Sequence, residues 1–235
     1  MTYEQLLESL EGLGSEQIKR IYINHGAKEP LFGVKTGDLK KLVKHVKKDQ
    51  DLALRLYASG IYDAMYLTGL SVNPKLLSKE MLQAWVEQAN CYALAEYTVA
   101  GAAAESEHAL ELAREWLQSP EEMIAVCGWS TYTNYLSITP DESLNLQEIR
   151  DLLQKAKTKI HEERNRVRYA MNGFVIAVGS YVPALTEEAK QAAEQIGKVH
   201  VNVGNTACKV PLATDYIKKV EAMNRVGVKR KTCIC

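Results

Sequence analysis

With 235 residues, 46% of them hydrophobic, the chain suits one large domain or two small ones and has enough apolar side chains for a real core. Five cysteines without a C-x-x-C pair and five scattered histidines exclude a disulfide framework and a zinc spacing, and the most apolar window, 167–182, is broken by Arg168, Asn172 and two glycines, which excludes a membrane span. The 29 basic and 29 acidic side chains cancel to zero net charge, yet they are segregated along the chain, so a polyanionic partner is not excluded.

Helical periodicity predicts helices over 2–11, 15–25, 36–48, 50–59, 61–71, 74–88, 90–104, 106–118, 120–137, 141–160, 163–181, 186–196 and 211–224. The first of these is acidic: residues 1–16 hold four glutamates and no base, lacking the basic start and apolar run of a signal peptide. The expected location is cytoplasmic. In 35–48, six lysines face one acid, Asp38, while Leu39, Leu42, Val43 and Val46 keep helical spacing and leave Lys40, Lys44 and Lys47 on the other faces. Asn73-Pro74, Ser119-Pro120-Glu121-Glu122 and Thr139-Pro140-Asp141-Glu142 read as helix starts, the last two as capping boxes.

The charge reverses over 80–122, with nine glutamates against Arg114, and reverses again over 155–168, with six basic groups against Glu162 and Glu163. Arg164, Arg166 and Arg168 open a helix, where the macrodipole disfavours cations; phosphate oxygens, which guanidinium grips in a bidentate way, would give them a reason to be there. Residues 199–203 alternate and meet Gly204-Asn205, so this stretch can turn back through 207–210 as a small β-hairpin. Seven basic groups against Asp215 and Glu221 fill 209–231, and Lys229 and Arg230 lie in a basic tail of about 225–235, short enough to be a flexible arm on a duplex backbone. Cys233 and Cys235 read as a frayed terminus.

Short helices on tight links, paired at spacings near 35–45 residues, predict an all-α solenoid of HEAT-like helical hairpins in a single domain over 1–235. If the fold gathers the basic stretches on one side, that face suits DNA.

The run Phe32-Gly33-Val34-Lys35-Thr36-Gly37-Asp38-Leu39-Lys40-Lys41-Leu42, followed by Leu54-Arg55-Leu56-Tyr57-Ala58-Ser59-Gly60-Ile61-Tyr62-Asp63-Ala64, resembles the AlkD-type, HEAT-like repeat DNA alkylation repair family. Residues 197–231, with Asn205-Thr206-Ala207-Cys208-Lys209-Val210-Pro211, resemble that family's tail. The resemblance implies a superhelix that cradles double-stranded DNA and excises cationic N3- or N7-alkylated purines, as a monomer, with no cofactor, metal or membrane. Such excision needs a carboxylate near the sugar to stabilise an oxocarbenium-like transition state, and aromatic faces for cation–π attraction.

Where the family carries a Trp and an Asp four residues apart, this chain offers Tyr92 and Glu96, the catalytic candidates. Trp129, Tyr132 and Phe174 are the candidate lesion-facing rings, and Lys40, Lys44, Lys47, Arg164, Arg166, Arg168, Lys229 and Arg230 the candidate phosphate contacts. Two positions depart from the pattern: Phe174 is offset from the second family tryptophan, and 123–126 are apolar where active members carry paired arginines. The expected function is thus a DNA-alkylpurine glycosylase, with a noncatalytic DNA-structure-binding protein and, third, a protein-interaction scaffold as alternatives.

Overall fold

The computed structural model describes residues 1–234; Cys235 lies outside the described residues, and with it the terminal Cys233/Cys235 pair. All regular structure among the described residues is helical. Two compact units form, one from residues 1–108 with 204–207 and Ile234, the other from 109–203 with 208–233.

The first unit begins with α1 (Tyr3–Leu13), whose start is closed by a capping box: Thr2 accepts the Gln5 N–H and the Gln5 side chain accepts that of Thr2. Helices α2 (Glu16–Asn24), α3 (Thr36–Val46), α4 (Gln50–Ala58), α5 (Tyr62–Ser71), α6 (Lys79–Gln88) and α7 (Ala100–Glu105) follow. Asp49 caps α4 by accepting the Leu52 N–H at 3.0 Å. Helix α5 is the centre of the unit, buried along its whole length and packed against α3, α4 and the 94–99 turn. Tyr57 stacks on Trp85 at 4.1 Å between ring centroids, and its hydroxyl donates to the Trp85 carbonyl at 2.7 Å.

The second unit comprises α8 (Ala109–Trp116), α9 (Glu122–Ile138), α10 (Leu146–Lys159), α11 (Asn165–Tyr181), α12 (Thr186–Ile196) and α13 (Ala213–Ala222). Helix α11 packs against α9, α10, α12 and α13 and carries Val167, Met171, Phe174, Val175 and Val178 into the core.

Several predicted boundaries shift for one reason. Asn73-Pro74 and Pro140-Asp141 each start only a 3-10 turn, Pro74–Leu76 and Asp141–Ser143, and the α-helix waits for a second cap, Ser78 on α6 and Asn145 on α10. The Ser119 capping box does not form. Ser119 Oγ accepts the Glu121 N–H, and the Glu122 carboxylate instead accepts the Arg166 N–H at 2.6 Å. The helix predicted over 90–104 is interrupted by a π-helical turn, Leu94–Val99.

The β-hairpin over 199–210 is absent. The Asn165 carboxamide donates to the Asn202 carbonyl at 2.9 Å and accepts its N–H at 2.7 Å, taking both ladder groups that a paired strand would have used. The flexible basic arm is likewise corrected: Gly227 N–H donates to the Ser180 carbonyl at 2.9 Å and Arg230 N–H to that of Ser137 at 2.7 Å, which ties the segment down.

Candidate nucleic-acid interface

The lysine stripe forms as its periodicity dictates. Leu39, Leu42 and Val46 are buried, which turns Lys40 and Lys44 on α3 and Lys47 at its C-cap to solvent. Asp38 neutralises Lys41 at 2.7 Å, and that ammonium holds its carboxyl below the ordinary range. Lys44 and Lys47 have no carboxylate partner among the described residues. At i, i+4 and i+7, the three lysines share one helical face, Lys47 at the C-cap, over a rise of about 10 Å.

The other basic candidates, Arg230 excepted, have partners within the fold. The Arg164 guanidinium donates to the carbonyls of Ser119 (3.1 Å) and Pro120 and pairs with Glu163, tying the α8–α9 turn to the start of α11. Arg166 lies over the Tyr169 ring at 4.0 Å, and Arg168 is half-buried with its Nη2 3.4 Å from Asn165 Oδ1. Lys229 caps two helices. Its ammonium donates to the carbonyls of Leu136 (3.0 Å), near the end of α9, and Tyr181 (2.7 Å), at the end of α11, and pairs with Asp141 at 2.9 Å. A cation at two helix C-termini satisfies orphan carbonyls and both dipoles. The neighbouring Arg230 side chain remains exposed.

Glu96 lies in the π-helical turn and is 7% exposed, while Tyr92 is half-buried. Burial pushes the Cys91 thiol pKa up, and the Glu96 carboxylate adds to the rise.

The three candidate lesion-facing rings are core. Trp129 and Tyr132 are 1% exposed and Phe174 is fully buried, and Phe174 meets Trp129 edge-on at 5.2 Å and Tyr132 at 5.7 Å. Rings this buried present no open face in this structure.

Two features escape the sequence. Asp63 is fully buried and accepts the N–H groups of Phe32 (2.6 Å), Gly33 (3.3 Å) and Val34 (2.7 Å), so the two stretches that carry the family resemblance are bonded to each other. A buried acid within a helical run was the available signal. The second is a cleft of about 430 Å³ beside α9, α11 and α13. No sequence signal marked it, because its walls come from distant segments.

Among the described residues, no group of three or more His, Cys, Asp or Glu is placed to hold a metal ion, and no helix is long and apolar enough to cross a membrane.

The chain matches the family model described as DNA alkylation repair enzyme over residues 6–216. It is 37% identical to an uncharacterised protein of Listeria monocytogenes over 96% of this chain and 99% of that one. A second uncharacterised relative, from Listeria innocua, is 38% identical over 97% of this chain and 100% of its own length. A solved structure representing a new family of proteins related to the HEAT-like repeat DNA glycosylases, with affinity for branched DNA structures, superposes with a TM-score of 0.92 at 37% identity, covering 100% of both chains. The all-helical architecture is therefore of the HEAT-like repeat type, and the chain belongs to the DNA alkylation repair enzyme family.

Proposed function

We propose that this protein binds DNA at branched or locally unpaired sites through backbone phosphates, without excising a base. The observation that supports this best is the α3 stripe, where Lys40, Lys44 and Lys47 face solvent and two of the three lack a carboxylate partner among the described residues. The branched-DNA affinity of the similar solved structure agrees with that reading. Phosphate contact by lysine positions a strand but carries no sequence information, which suits recognition of DNA shape.

Equilibrium binding to a four-way junction and to a matched duplex, each across a salt series, tests it. The junction is bound more tightly, and the Lys44→Gln, Lys47→Gln double variant lowers the log–log salt slope by roughly two units. An unchanged slope removes α3 from the interface.

Base excision is the second reading, favoured by one observation: the acid on the matching helix, Glu96, sits in a π-helical turn, a distortion that recurs at functional sites. Release of methylated purine from alkylated duplex by the wild type, abolished in Glu96→Gln, would establish it over the noncatalytic reading.

A further inference from the structure

The cleft of about 430 Å³ falls within the range of roughly 300–1,000 Å³ typical of small-molecule pockets. Its chemistry is divided. Tyr216, 49% exposed, and the exposed Met223 and Val228 give it an apolar, partly aromatic side. Lys219, Arg225 and Arg230 supply three cations, no carboxylate lines the wall, and none of the three has a carboxylate partner among the described residues.

A third feature also points to a ligand. Ser180 lines the cleft and is 5% exposed, yet its hydroxyl has no hydrogen-bond partner among the described residues, and neither has the buried Thr133 hydroxyl on the same wall. Buried hydroxyls nearly always find a partner, and a polar ligand in the cleft would supply one once either side chain turned toward it, since both oxygens are closed to solvent as placed.

A ligand that matches a ring, three cations and spare hydroxyls has a flat apolar part joined to an anion. We propose that the cleft takes one unpaired nucleotide of a DNA strand, its base stacked on Tyr216 and its phosphate held by Lys219, Arg225 and Arg230. This deepens the branched-DNA reading above and rests on it: a base locked in a duplex cannot enter a cleft, whereas a branch or bulge exposes bases that can.

Gly173 provides the test. It lies within α11 on the cleft wall, and a Cβ added there meets nothing within 4 Å. Gly173→Leu therefore starts into open space and narrows the cleft, and its melting temperature should equal or exceed that of the wild type, since glycine is a poor residue inside a helix.

The probe is 2-aminopurine in three settings: at a single-nucleotide bulge in a duplex, in the fully paired duplex, and as the free deoxynucleoside monophosphate. Wild-type protein is expected to quench the bulged probe, to leave the paired one unchanged and to bind the free nucleotide far more weakly than bulged DNA. Gly173→Leu should lose the quench and reduce the preference for bulged over paired DNA about tenfold. Tyr216→Ala, at an exposed ring, should do the same and covers the case in which the leucine variant fails to fold.

A bulge preference untouched by both variants overturns the cleft assignment while leaving the phosphate reading intact. Free nucleotide bound as tightly as bulged DNA overturns the DNA strand as its source. Absence of any DNA binding by the wild type instead sinks the earlier reading, and the strand assignment with it.

Discussion

The Asp63 carboxylate accepts the Val34 N–H at 2.7 Å, and together with Phe32 and Gly33 it gathers three consecutive backbone donors of the loop before α3. In Asp63→Asn, one acceptor oxygen becomes an amide donor facing N–H groups that already donate. We expect a loss of about 3 kcal/mol in urea unfolding.

Gly33 tests the same junction from the other side. Its φ is +79°, and a Cβ there would lie 2.5 Å from the Lys19 nitrogen and 2.6 Å from the Ser15 oxygen, both backbone. Gly33→Ala should destabilise by several kcal/mol in the same assay, because no flexible side-chain end can move aside.

Lys229→Met separates a cap from a phosphate contact. Removing the ammonium leaves the Leu136 and Tyr181 carbonyls without that donor and Asp141 without its partner, at a cost of about 2 kcal/mol. DNA affinity and its salt slope, measured well below the lowered melting temperature, should match the wild type. A reduced slope would return Lys229 to the interface.

Phe174→Ala should cost about 3–5 kcal/mol, because the ring fills the space between Trp129 and Tyr132. Its effect belongs to thermal unfolding. A variant with wild-type stability and impaired DNA binding would contradict the core assignment.

Arg114 and Glu148 form a two-pronged pair, Nε to Oε1 and Nη2 to Oε2, each at 2.7 Å. Arg114 holds the Glu148 carboxyl below its ordinary value of 4.5. A depressed acid stabilises the fold fully above its unfolded pKa and loses that contribution as pH falls through the folded one. With the Arg114 side chain half exposed, the contribution is about 0.5–1 kcal/mol. Glu148→Gln should therefore be less stable than wild type at pH 7, and the gap should close as the pH is lowered below 4.5 in parallel chemical denaturation series.

The helical order of this chain is legible because Leu39, Leu42 and Val46, like Leu82, Trp85 and Val86, repeat at the period of a buried helix face. Helix starts are less legible, since Pro74 and Pro140 suit a 3-10 turn as well as a helix, and Ser78 and Asn145 are competing caps only a few residues on. The α3 stripe is readable for the same reason as the core: burying one face of a helix fixes what the others present. Arg164 and Lys229 are not readable, because their partners include carbonyls of a turn and of helix ends, and a basic residue looks the same in sequence whether it meets a phosphate or Tyr181. Trp129, Tyr132 and Phe174 satisfy both an aromatic-site pattern and a core pattern, and burial separates the two.

The π-helical turn Leu94–Val99 fits one more residue than the α-helical turn it replaces, and one residue corresponds to roughly 100° of helix rotation. A chain shortened by one residue there would continue the same helix but swing everything before the turn by that angle against everything after it. Helix α7 cannot follow the swing, because Ala100, Gly101, Ala102, Ala103 and Ala104 are all packed inside. Cys91 and Tyr92 would be re-aimed instead. The turn thus acts as an adjustable coupling, through which insertion or deletion can redirect a thiol and a ring while the alanine seam stays in register.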